Sequence, residues 1–106
     1  MKTEVQIKVI DRALENLKAD IATYSLCCCI KDAILEETGE YLYTLRQTIP
    51  LFTRVNAVEF GKASKKLRNE SYCYWWDDND YENRRLFLLW IREQLEEQLK
   101  NEMSKN

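Results

Sequence analysis

Four aromatic side chains fall within five positions: Tyr72, Tyr74, Trp75 and Trp76. Two arginines, Arg84 and Arg85, follow one to two helical turns after an acidic stretch. Rings stack on bases and guanidinium forks grip phosphate, so this pairing suits a nucleotide site. Tyr74, Trp75, Trp76, Arg84 and Arg85 are therefore the candidate ligand-binding residues. Two other readings of the cluster stay open. Aromatic anchors are equally typical of protein–protein contacts, and large rings also plug cores. Just upstream, Lys62, Lys65, Lys66 and Arg68 form a basic loop with no acid among them, a second candidate contact for an anion beside its reading as a solvated loop.

Other chemistry is scarcer. The chain has no histidine, which removes the commonest general base and the commonest metal ligand. Serine–histidine and cysteine–histidine nucleophile pairs cannot be built from it. The expectation is a protein with no catalytic residues and no cofactor. The run Cys27-Cys28-Cys29 lacks the spaced pairs of a zinc site, since successive helical residues diverge by roughly 100°. Small apolar helix packing is the simpler reading, and no metal is expected. The acids Asp77, Asp78, Asp80 and Glu82 fail the calcium-loop pattern, because Glu82 and Leu88 stand where Gly and Glu are required. They suit a helix start instead, with Asn79 as cap and Glu82 reaching back.

The elements that must position these residues are helical. In 106 residues there are only two glycines and one proline, too few for a turn-rich sheet protein. Ile7, Ile10, Leu14, Leu17 and Ile21 recur at three- and four-residue spacing, which predicts a helix over 4–18. A second, buried helix is expected from Ile21 to Thr38, with Leu26, Ile30, Ala33 and Ile34 on one face, Cys27 extending it, and Gly39 as its C-cap. A single bent helix over 4–37 is the alternative. A shorter helix is expected over 40–48, ended by Pro50. One or two turns beginning at Thr53 would carry Val55, Val58 and Phe60 and close at Gly61. Residues 71–76 are strand-like in composition but lack a partner strand. In the last helix Leu88, Ile91, Leu95 and Leu99 make the core stripe, widened by Phe87 and Trp90, with fraying beyond Glu96.

The fold expectation is thus a single all-α domain over 1–106, an irregular bundle of three to five helices. With 45% hydrophobic and 32% charged residues the chain has the composition of a globular protein. A net charge of −2 disfavours duplex nucleic acid as a partner. The charged opening segment predicts no secretory leader, and no apolar stretch is long enough to span a membrane. Together with the cysteine pattern this points to the cytoplasm. The amphipathic first helix, with about two heptads of seam-like spacing, makes a homo-oligomer an expectation.

The blocks Ile49-Pro50-Leu51-Phe52-Thr53-Arg54, Tyr74-Trp75-Trp76 and Arg84-Arg85-Leu86-Phe87-Leu88 resemble a type of small helical protein found among bacteriophage and prophage genes. The resemblance covers about the second half of the chain and carries no functional residues over. It implies a context: a counter-defence or host-takeover factor acting by binding, in the host cytosol. The first functional expectation is sequestration of a host nucleotide signal. The alternative is an inhibitor or adaptor docking on a host protein through an aromatic surface. A nucleic-acid-binding regulator is the third.

Overall fold

The computed structural model describes residues 1–19, 26–40, 48–51, 56, 58–60 and 81–104. The fold is all-α. Its long elements are α1 (Thr3–Ala19), α2 (Leu26–Thr38) and α3 (Tyr81–Ser104). Residues 58–60 are also helical. No helix is long and apolar enough to cross a membrane among the described residues.

The central element is α1, which packs against both α2 and α3. It needs more than one apolar stripe for this. It buries Thr3, Gln6, Val9, Ile10, Ala13 and Leu17, while Ile7 and Leu14 only flank the core. The stripe expected from Ile7, Ile10, Leu14 and Leu17 is therefore corrected: its period holds, but the face is turned toward smaller and more polar residues. Ala13 shows why. The Cys29 thiol reaches past it to donate to the Ala13 carbonyl at 2.9 Å, and a larger side chain there would hold α2 off.

Two helices, not one, occupy residues 3–38. Asn16 Nδ2 donates to Glu36 Oε1 at 2.6 Å. On a continuous straight helix those residues would stand about 30 Å apart, so the chain turns back between them. Arg12 adds an ion pair to Glu37 at 3.2 Å on the same side. The buried face of α2 is Leu26, Cys29, Ile30, Ala33 and Ile34. The expectation that Cys27 extends this face is corrected: Cys27 is exposed, and Cys29 is the buried member of the run. The helical period explains the exchange, since 26, 29, 30, 33 and 34 lie on one stripe and 27 does not.

Gly39 ends α2 as expected. Its φ is +74° and its N–H donates to the Leu35 carbonyl at 2.8 Å. Thr38 Oγ1 donates to the Ile34 carbonyl, and the Glu40 N–H donates to that same hydroxyl. Nothing lies near the place a Cβ would take, so the cost of substitution is conformational alone. Gly39→Ala is expected to destabilise the protein by about 1 kcal/mol, and Gly39→Asn by less. Urea unfolding of the two variants checks the order.

α3 runs antiparallel to α1. Arg92 Nε donates to Asp11 Oδ1 at 2.6 Å in the middle of the pair. At its far end Gln98 Nε2 donates to Thr3 Oγ1 at 3.0 Å, and Thr3 Oγ1 donates to Glu102 Oε1 at 2.8 Å. These contacts correct the expected fraying beyond Glu96. The helix continues to Ser104 because its polar end docks on the first turn of α1. The core side of α3 is Asn83, Arg84, Phe87, Leu88, Ile91 and Leu95, while Leu99 is only half-buried.

Thr48 is helical, and Ile49 and Pro50 follow outside the helix, as expected of a helix stopped by proline. Ile49 is buried and joins the core. Glu40, expected to open the helix over 40–48, is not helical, because it follows directly on the positive-φ cap at Gly39. Residues 41–47, the turns expected at Thr53, Val55 and Gly61, the segment 71–76, the acids Asp77, Asp78 and Asp80, and the Asn79 cap lie outside the described residues.

Candidate functional site

The two adjacent arginines of α3 part company. Arg84 is 1% exposed and ranks with Phe87 among the largest fully buried side chains. It lies one turn before Phe87 and Leu88, on the stripe that continues through Ile91 and Leu95. Arg85, about 100° further round the helix, faces outward. There it gives a two-pronged contact to Glu82, Nη2 to Oε1 at 2.6 Å and Nε to Oε2 at 3.1 Å. That hydrogen bond, with the carboxylate's charge, raises the Arg85 pKa. Glu82 is engaged forward by Arg85, and its expected reach back to the Asn79 cap lies outside the described residues.

The two guanidinium groups therefore do not converge on one surface. Tyr74, Trp75 and Trp76 of the expected site, and Lys62, Lys65, Lys66 and Arg68 of the basic loop, lie outside the described residues.

A different aromatic group is assembled instead. Phe60, Phe87 and Trp90 form a three-ring cluster. Phe87 and Trp90 stack with centroids 6.2 Å apart and planes 15° apart. Phe60 is tilted against both, 5.6 Å from Phe87 and 6.3 Å from Trp90. The spacing of 87 and 90 on one helix sets the stack, since residues three apart are neighbours on a helix surface. Phe60 is brought from a distant part of the chain. In the sequence Trp90 widens the core stripe and Phe60 falls in a short turn thirty positions earlier, and no local pattern joins them.

This cluster floors a groove of about 580 Å³ along α3. Phe60, Leu86, Leu89 and Trp90 supply its apolar surface, and Arg92, Glu93 and Glu96 its charged rim. Leu89, 37% exposed, is one of the few large apolar side chains left facing outward. The Arg92 charge is already taken. Its guanidinium meets both Asp11 oxygens, at 2.6 and 3.5 Å, and also donates to Glu96. Those hydrogen bonds raise its pKa. A phosphate in this groove would find no unengaged cation among the described residues lining it.

The cysteines are spread by the helix. Cys27 and Cys28 are exposed and Cys29 is buried. Burial pushes the Cys29 thiol up to about 12, against smaller opposing effects of the Leu17 backbone and the nearby Arg84 charge. A thiol so held is inert as a nucleophile at neutral pH. Among the described residues no three Cys, Asp or Glu side chains gather in a way that could hold a metal ion.

Comparison of the chain with protein-family models, with curated proteins and with solved structures gives no match.

Proposed function

We propose that this chain is a non-catalytic binding protein that docks on a partner protein through the groove along α3. In a phage setting the partner would be a host protein and the chain its inhibitor or adaptor. The observation that carries this reading is the groove itself: Trp90, stacked on Phe87 and braced by Phe60, beside exposed Leu89. A rigid, half-buried tryptophan with apolar neighbours is the kind of residue that dominates binding energy at protein interfaces. The charged rim keeps the apolar surface soluble when it is unoccupied. The absence of histidine from the sequence fits a role without proton-transfer chemistry.

Nucleotide sequestration, the first expectation from sequence, has less support. It needs guanidinium groups that can turn toward phosphate. Arg84 is inside the core, so of the pair only Arg85, which faces outward beside Glu82, is placed to do so.

Size-exclusion chromatography of tagged protein from native cell extract tests the docking reading. The wild type and Leu35→Asp, which changes an exposed leucine on α2, are expected to elute as the same defined complex. Leu89→Asp is expected to shift the balance toward free protein at least about tenfold. Equal complex formation by all three proteins would remove the groove from the interface.

A further inference from the structure

Building on the docking reading, we infer that the segment received by the groove is a cationic amphipathic helix of the partner. The first support is the charge left over at the rim. Arg92 is neutralised by Asp11 and Glu96. Glu93 has no ion-pair partner among the described residues, so the unbalanced charge among the described residues lining the groove is negative. Beyond it α3 carries Glu96, Glu97 and Glu102 against Lys100 alone.

The second support is the continuation of that charge along the helix. Past the groove the last turn of α3 holds no basic residue, so nothing in that turn offsets the carboxylates. Lysines or arginines brought by a partner are attracted to this end of the groove, and an acidic segment is repelled.

The third support is shape. From Leu86 to Glu96 the groove follows α3 for about 15 Å, three turns of a helix. The groove-forming elements are helices, which offer no open strand edge for main-chain pairing. An occupant must therefore bind through side chains. A helix that places apolar residues at i, i+3, i+4 and i+7 does so, with its flanking basic residues over Glu93 at the rim.

Two synthetic helical peptides of about 14 residues test this. Each is labelled with fluorescein and carries leucines on one face; one has lysines on the other face and the second has glutamates. Anisotropy titrations are run at about 50 and 300 mM NaCl, below and above physiological screening. The lysine peptide is expected to bind at least about tenfold more tightly than the glutamate peptide, and less tightly at the higher salt. The Glu93→Lys protein is expected to lose most of that preference, and Leu89→Asp to lose the binding, with helical circular dichroism retained in both. Equal affinity for the two peptides overturns the cationic partner. The docking reading survives that result if Leu89→Asp still abolishes binding. No binding of the lysine peptide, or binding indifferent to Leu89→Asp, also overturns the inference.

Discussion

Arg84→Ala is expected to destabilise the protein by about 3 kcal/mol or more, while Arg85→Ala changes stability by less than about 0.5 kcal/mol. The two residues are adjacent and chemically identical, so the contrast isolates position. Arg84 is enclosed, and its charge is felt at the Cys29 thiol. Truncation there removes a long side chain from a packed interior, leaves a cavity and strips the groups around it of a cation. Arg84→Met keeps most of the volume and should recover part of the loss. Arg85 makes one surface ion pair within its own helix, and such pairs contribute little. Urea unfolding of the three variants at neutral pH checks the order. Equal, small losses for Arg84→Ala and Arg85→Ala would mean that Arg84 is not a core residue.

The second large effect is alkaline. Cys29 is fully buried and its thiol is pushed from an ordinary 9.0 up to about 12. Below pH 9 the thiol is protonated in the folded and the unfolded chain, and its contribution to stability is complete. Between pH 9 and 12 the unfolded chain releases the proton and the folded chain keeps it. Stability must then fall as pH rises, by about 1.4 kcal/mol per unit. Cys29→Ala removes this titration, along with the bond to the Ala13 carbonyl. Relative to that variant, the wild type is expected to lose about 2.5 kcal/mol of stability between pH 8 and pH 11. Lysines and tyrosines titrate in both proteins and cancel in the difference. Parallel stability curves across that range would contradict the assignment. Alkylation at neutral pH, mapped by mass spectrometry, should likewise modify Cys27 and Cys28 and spare Cys29 in the folded protein.

The elements of the fold were legible where local rules decide them. Scarce glycine and proline, together with three- and four-residue spacing, marked α1, α2 and α3. Gly39 marked the end of α2, because only a residue free of a Cβ takes positive φ without cost. Tertiary facts were less legible. The buried face of α1 turns toward Thr3, Gln6 and Ala13 because two helices share it, and apolar periodicity is blind to that. The C-terminal end of α3 persists through Gln98 and Glu102 meeting Thr3, a contact across 95 and 99 residues.

The candidate site divided in the same way. Arg84 and Arg85 read as a pair because they are neighbours in sequence, yet a helix separates neighbours and unites residues three and four apart. Position 84 does precede 88, 91 and 95 on the core stripe, but an apolar periodicity does not include a charged residue. Trp90 stood out as a large ring at the edge of that stripe. Its role depends on Phe60, thirty positions earlier, and no local pattern joins the two.

The docking groove is tested most directly by placing a photoreactive benzoylphenylalanine at position 89, and in a second protein at position 35, inside living cells that naturally contain the protein. Both leucines are exposed, so both substitutions leave the core intact. The expected result is a discrete crosslinked protein from position 89, lost when Trp90 is also changed to alanine, and none from position 35. Crosslinking from both positions alike, or from neither, would contradict a docking face along α3.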